Sequence, residues 1–268
     1  MTRFLLVLIG LFSAILLLHA AGQAGGDGPS PWKPLLPADA YSELTKRSVA
    51  AIEATAKSGV KDAAERVEAE AAILVGYTLS VKNPTEEAVG KVRGAAIQAV
   101  QAARSGDLKK PAGFGKMIEA APNAAIERMP RKAYLQELAW VMEIFKGKAK
   151  GGEGLHAELQ YSPPLKKLNG IEAFIGALAK KKLSDDNLAK VSKELPNLAY
   201  RLAVVGSITH EFPPAKGAGQ WRELSNQMRD ASTALAEAAH KKNGAGVLTA
   251  ATALENSCTQ CHSVFKGK

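Results

Sequence analysis

The chain contains little cysteine: its 268 residues include two, Cys258 and Cys261. Two cysteines exclude a disulfide framework and a zinc site built from four thiolates. Aromatic residues make up only 6% of the chain, and no basic patch is interleaved with them in the way that is typical of nucleic-acid binding. We therefore expect no nucleic-acid partner.

Alternating β-branched runs are also scarce, whereas alanine is abundant, and this composition predicts an all-α fold. The length suits two antiparallel helical bundles in tandem. We expect the first bundle at residues 38–150, a linker at 151–163 and the second bundle at 164–268. The apolar stripes predict helices at 38–57, 60–81, 84–105, 132–145, 165–183, 184–205 with a break near Pro196, 220–241 and 246–265.

The longest apolar run lies at the N-terminus. A short basic start at residues 1–3 precedes an apolar run at 4–18 and small residues at 19–24, which is the layout of a secretory signal peptide. We predict cleavage between Ala20 and Ala24, followed by a flexible tether at 25–37, with an uncleaved membrane anchor as the alternative. No later stretch is long and apolar enough to span a membrane. The expected location is therefore the periplasm or the exterior.

The segment Cys258-Thr259-Gln260-Cys261-His262 has the C-x-x-C-H spacing that attaches a c-type haem. The two thiols form thioethers with the haem vinyl groups, and the imidazole of the following histidine ligates the iron. On a helix, positions i, i+3 and i+4 share one face, so all three side chains can reach the same porphyrin edge. We predict one covalent haem c with His262 as an axial ligand.

Three other interpretations of the pentapeptide remain open. A redox-active dithiol is one, although such motifs usually open a helix in a thioredoxin-like setting. A zinc site is another, but it needs more ligands than this segment supplies. Chance occurrence is the third. The predicted signal peptide favours haem, because c-type haem is attached outside the cytoplasm.

The placement of the motif at the end of the last of four amphipathic helices resembles the cytochrome c′ family, the class II c-type cytochromes. Class I cytochromes c carry the motif near their N-terminus instead. The resemblance covers roughly residues 164–268. It rests on the motif's position, on the Ser263-Val264-Phe265-Lys266 segment that follows it, and on Trp221 at the start of the third helix.

The resemblance implies a haem whose open side is covered by the bundle's first helix, predicted here at residues 165–183. Carried over by position, Ile171 or Phe174 would be the distal lid. That helix contains neither methionine nor histidine, which favours an open iron that binds NO or CO. Phe265 is expected beside the proximal face, and Lys266 is expected to pair with a haem propionate.

Other side chains could supply a sixth ligand, although each is more typical of packing or of an exposed surface. Met228 lies in the core stripe of its helix, where a thioether commonly fills a gap. The remaining candidates are His156, His210, His240, Met117, Met129 and Met142. The three methionines belong to the first half and could reach the haem only if the two halves packed together at the haem face.

Together these features predict an extracytoplasmic monohaem c-type cytochrome, not an enzyme, that transfers electrons or binds small gases. The formal charge of +9 favours an acidic redox partner, and the resemblance adds a homodimer. One alternative is a peroxidase-like enzyme, for which the predicted distal helix offers only Glu172 as an acid–base group. Another is a haem module whose haem-free first bundle docks a partner oxidoreductase.

Overall fold

The computed structural model describes residues 32–122, 131–150, 152–160, 163–168 and 170–265, which belong to one compact unit, Pro31–Lys268. The predicted signal peptide, most of the predicted tether and Lys266 lie outside the described residues. The described residues form α-helices and short 3-10 helices without a β-strand, apart from an isolated bridge between Leu36 and Val81. The prediction of an all-α fold is confirmed.

The helices follow one another with connections of varied length. In the first half they are α1 (Ala38–Lys57), α2 (Ala63–Ser80), α3 (Glu86–Arg104), α4 (Phe114–Ala120) and α5 (Leu138–Met142). In the second half they are α6 (Pro163–Lys166), α7 (Ile171–Leu178), α8 (Asp185–Val191), α9 (Glu194–His210), α10 (Ala218–His240) and α11 (Gly244–Phe265). Five 3-10 helices, Pro111–Gly113, Arg131–Ala133, Glu143–Phe145, Lys148–Lys150 and Ala157–Leu159, lie between them. Searched over the described residues, no helix is long and apolar enough to cross a membrane.

Helices α2 and α9 lie at the centre and are buried along most of their length. They pack against each other, and a Cβ atom at Gly76 of α2 would lie 2.5 Å from Cγ1 of Val204 on α9. Any larger residue at this position would collide with the Val204 side chain unless one of the two helices shifted, so glycine allows the close approach. The helices of the two halves therefore share one interface.

The other long helices pack around this central pair. In the first half, α1 and α3 pack on α2; in the second, α10 packs on α9, α11 packs on α10, and α7 packs on α11. A continuous series of helix contacts thus runs from α3 through α2, α9 and α10 to α11 and α7. The division into two bundles in tandem stays a prediction.

Several helix boundaries follow local signals in the sequence. Helix α1 spans the predicted residues, and the Ser184 hydroxyl accepts a 3.4 Å hydrogen bond from the Asn187 amide at the start of α8. The predicted break near Pro196 lies between α8 and α9. Pro196 occupies the first turn of α9, where an amide has no partner within the helix and proline costs little.

The helix predicted at residues 132–145 is wrong as a continuous element. The structure has a 3-10 turn, the short helix α5 and a second 3-10 turn in its place. The Gln136 amide donates to Oε1 of Glu68 on α2 at 2.5 Å, so this backbone group bonds to a neighbouring helix and not within its own. A tertiary hydrogen bond has replaced a local one, which periodicity along the sequence does not reveal.

The helix predicted at residues 165–183 is also divided, into α6 and α7. The break falls at Gly170, whose φ of 155° and ψ of 163° are not helical. A Cβ atom there would lie 2.7 Å from the Phe145 carbonyl oxygen, so the start of α7 sits directly on the 3-10 turn Glu143–Phe145. This contact brings the end of the first half against the helix predicted to cover the haem.

A cluster of buried ions joins α2 to α9. The Arg201 guanidinium donates to both carboxylate oxygens of Glu70, at 2.9 and 2.6 Å, and to the Tyr77 hydroxyl at 3.0 Å. Its Nε lies 3.0 Å from a carboxylate oxygen of Glu153. Burial acts to raise the pKa of Glu70, but the charge and hydrogen bonds of Arg201 outweigh it and hold that pKa below its ordinary value. Glu70 is therefore a buried carboxylate that depends on Arg201.

We predict that Arg201→Leu destabilises the protein by about 3–5 kcal/mol, because it leaves the Glu70 charge buried without its partner. Urea unfolding followed by circular dichroism measures the loss. The control is Lys241→Leu, which breaks the exposed 3.9 Å pair with Glu237 and should cost at most about 1 kcal/mol. Equal losses in the two variants would contradict a structural role for the buried cluster.

Candidate functional site

The C-x-x-C-H motif occupies the final turns of α11. The Asn243 side chain accepts a 3.0 Å hydrogen bond from the Gly246 amide at the start of this helix. Val247, Ala251 and Leu254 are buried along its core face. Continued by the helical period, this face places Cys258, Cys261 and His262 on a single cavity, which all three side chains line. Attachment of a haem at this face stays a prediction.

The cavity has a volume of about 580 Å³, within the ~300–1,000 Å³ range of cofactor sites. Four other parts of the fold complete its wall. Helix α10 supplies Trp221, Leu224, Ser225 and Met228, and α9 supplies Leu202 and Thr209. Helix α7 supplies Glu172 and Ile175, and α5 with the residues after it supplies Leu138, Ala139, Met142, Glu143, Phe145 and Lys146. The lining is thus mainly apolar, with its charged groups on α7, on α11 and in the segment that follows α5.

Trp221 ties three walls of the cavity together. Its indole Nε1 donates a 2.7 Å hydrogen bond to the Thr209 carbonyl oxygen of α9. Its ring meets that of Phe265 edge-on, with centroids 5.1 Å apart and an interplanar angle of 81°. Gly217 has a φ of 79° just before α10, and a Cβ atom there would lie 3.0 Å from the Phe265 ring. The end of α11 is therefore held firmly against the start of α10.

The two cysteines are free thiols of intermediate exposure. Burial raises the pKa of the Cys258 thiol to about 11, and burial also raises the pKa of Cys261. A raised pKa keeps a thiol protonated at neutral pH and disfavours the thiolate that a redox dithiol uses as its nucleophile. This electrostatic setting is unlike that of an activated C-x-x-C pair.

Helix α7, which the resemblance predicts to cover the haem, lines the motif's cavity with Glu172 and Ile175. Ile171 is buried and lines a second cavity, and Phe174 is fully buried in the core without lining the motif's cavity. A one-residue step turns a helix by 100°, which accounts for the displacement from Phe174 to Ile175. Contact between a haem and Ile171 or Phe174 stays a prediction, and Lys266 lies outside the described residues.

The other predicted ligand candidates have different positions: Met117 on α4 does not line the motif's cavity, and Met129 lies outside the described residues. Among the described histidines, His262 alone lines the motif's cavity: His156 lies at the second cavity, His210 ends α9, and the His240 ring lies 5.9 Å from that of Tyr200. Met228 and Met142 both line it. The apolar spacing predicted Met142 as a core residue of the first half. The sequence alone does not indicate which segments, far apart along the chain, line the same cavity.

The second cavity, of about 660 Å³, lies between α1, α2, α9 and the segment after α5. His156, Glu158 and Glu194 bring ligand atoms within 4.8 Å of one another there. Both Glu194 oxygens, however, accept 2.6 Å hydrogen bonds from Arg47, which hold the pKa of Glu194 below its ordinary value. The carboxylate charge is already neutralised by a guanidinium, so this cluster is better explained as an ion pair than as a metal site.

Comparisons with known proteins give no match: no family model, curated protein or solved structure matches this chain.

We predict that Trp221→Phe destabilises the protein by about 1 kcal/mol, because the indole hydrogen bond to Thr209 is lost while the aromatic contact remains. Trp221→Leu should cost roughly a further 1 kcal/mol, because it also removes the edge-on contact with Phe265. Thermal unfolding of the two variants separates the contributions. A Trp221→Phe variant as stable as the unsubstituted protein would mean that the hydrogen bond does not hold α9 against α10.

Proposed function

We propose that this protein is an extracytoplasmic monohaem c-type cytochrome of the cytochrome c′ kind, which carries electrons or binds small gases and is not an enzyme. The observation that supports it most strongly is the meeting of Cys258, Cys261 and His262 at one largely apolar cavity. The sequence supplies the attachment chemistry and the fold supplies a space beside it. Neither feature alone would distinguish a haem site from a buried dithiol.

The residues around the cavity fit this cofactor. Cys258 and Cys261 would form the two thioethers, and His262 would be the axial ligand from the same face of α11. Leu202, Leu224 and Leu254 offer the apolar surface that a porphyrin plane needs. When bound, a haem supplies the one-electron couple, and its potential depends on axial ligation and burial.

Charged groups lie where the cavity meets solvent. Lys146 is exposed, lines the cavity, and pairs with Glu143 at 2.6 Å. Its ammonium could pair with a carboxylate of a bound cofactor, the role first expected of Lys266. Lys146 belongs to the first half of the chain, so haem binding would involve both halves. The formal charge of +9 supports an acidic protein as redox partner, and dimerisation remains part of the proposal.

A haem-dependent enzyme is the second candidate, and one specific observation favours it. Glu172, Glu143 and Glu255 all line the cavity, so carboxylates that could move protons are present near the motif. A peroxidase would need one of them at the reacting side of the iron. Peroxide-dependent oxidation of a dye by the haem-loaded protein, lost in Glu172→Gln, would support this alternative.

Haem attachment is tested by coexpressing the chain with c-type haem-attachment machinery. We predict a haem-stained band and a thioether-type pyridine haemochrome spectrum for the unsubstituted chain. Cys258→Ala with Cys261→Ala should abolish covalent haem, because no other cysteine exists in the chain. Gln260→Ala is the matched control: it changes an exposed residue between the two cysteines that does not line the cavity and should retain full haem staining. Absence of haem from the unsubstituted chain would refute the proposal.

The proposed location is extracytoplasmic, with residues 1–24 as a cleaved signal peptide. We expect the mature protein in the periplasmic fraction, and N-terminal sequencing should find a start between residues 21 and 25. Replacing Leu6 and Leu8 by Arg disrupts the apolar run and should leave the chain unprocessed, cytoplasmic and without haem. A haem-loaded protein that keeps residues 1–24 in the membrane fraction would instead establish the anchored form.

A further inference from the structure

We infer that Met142, from the first half of the chain, is the sixth ligand of the iron that His262 binds. This inference rests on the proposed function, since it concerns the same cavity. The proposed ligand comes from the first half of the chain, outside residues 164–268 on which the resemblance rests. The site would then be six-coordinate and closed to gases, which selects electron transfer from the two proposed activities.

Few side chains at the cavity can ligate a haem iron. Thioether and imidazole groups are the usual partners of a proximal histidine in electron carriers. Of the described residues that line the cavity, those with such groups are His262, Met142 and Met228. The choice of a sixth ligand is therefore between two methionines on different walls.

Helix packing separates the two methionines. Helix α10, which carries Met228, packs directly along α11, and Met228 is buried in the core to 6% exposure. Met228 thus belongs to the wall next to the motif. Helix α5, which carries Met142, packs on α2 instead. A ligand trans to His262 must reach the metal from the side away from α11, and the geometry points to Met142.

Met142 is also held in place by its surroundings. It is the last residue of α5, between the buried side chains of Val141 and Ile144. The turn that follows packs closely on Gly170 at the start of α7, where a Cβ atom would lie 2.7 Å from the Phe145 carbonyl. Met142 itself is only half-buried, so its thioether has open space on the cavity side. A flexible side chain on an anchored backbone is a suitable axial ligand.

The test uses optical spectra of the haem-loaded full chain, unsubstituted, as Met142→Leu and as Met228→Leu. Leucine nearly conserves the volume of methionine, so both variants should keep the fold. We expect sharp low-spin bands and no CO binding for the unsubstituted protein, with the weak near-red charge-transfer band of ferric haem ligated by a thioether. Met142→Leu should lose that band, become high-spin, bind CO and show a lower reduction potential, because methionine ligation raises it.

Met228→Leu removes the competing thioether and should keep the low-spin bands and the thioether band. The matched control is Met117→Leu, at a methionine of α4 that does not line the cavity, and it should behave as the unsubstituted protein. An unsubstituted protein that is already high-spin and binds CO would overturn the inference, as would low-spin Met142→Leu protein or loss of the thioether band in Met228→Leu. In each of these cases haem staining still shows covalent haem, so the proposed function survives. If Met142→Leu fails to fold, Met142→Gln gives the same readout, because an amide is a weak ligand to haem iron.

Discussion

The packing of α2 against α9 is the constraint on which the other elements depend. Gly76 lets the two backbones approach, and the Arg201–Glu70 pair fixes their register with charge-assisted hydrogen bonds that water does not weaken. A second bidentate pair, between Arg47 and Glu194, joins α1 to α9 in the same region. Of the walls of the motif's cavity, α9 belongs to the central helix pair, α10 packs directly on α9 and α5 on α2, α11 is attached through α10, and α7 is attached through α11. Buried ions of this kind add little net stability, but they exclude alternative helix registers that would leave them unpaired.

The motif's cavity follows from how short the elements beside it are. Helices α5 and α7 have 5 and 8 residues, too few to fill the side of α11 along its 22-residue length. At the start of α7 the 3-10 turn Glu143–Phe145 continues the wall, in close contact with Gly170. A regular bundle with a full-length first helix would place core side chains in this space. The irregular connection is therefore what leaves room for a group of about 580 Å³.

Much of this fold could be predicted from the helical spacing of apolar residues and from residues that begin or end helices. Helices α1, α10 and α11 carry clean apolar stripes, and Ser184 and Pro196 mark boundaries by local chemistry. The predictions went wrong at 132–145 and 165–183, where a tertiary hydrogen bond to Glu68 and the close contact at Gly170 outweighed helical periodicity. The motif itself could be found in the sequence because haem attachment requires the two cysteines and the histidine at a fixed spacing. The wall of the cavity that carries Met142 could not be found, because Met142 and Cys258 lie far apart in the sequence and only the fold brings them to one cavity.

The burial of Cys258 affects how accessible its thiol is before and after the last helix docks. Its pKa of about 11 means that the folded protein presents this sulfur as a neutral thiol, which reacts slowly. Because burial is the main cause of the raised pKa, the thiol of Cys258 returns towards its ordinary pKa when the last helix is not docked against α10. The contact between Phe265 and Trp221 closes the end of α11 onto α10, so docking of the last helix is the step that limits access to this sulfur.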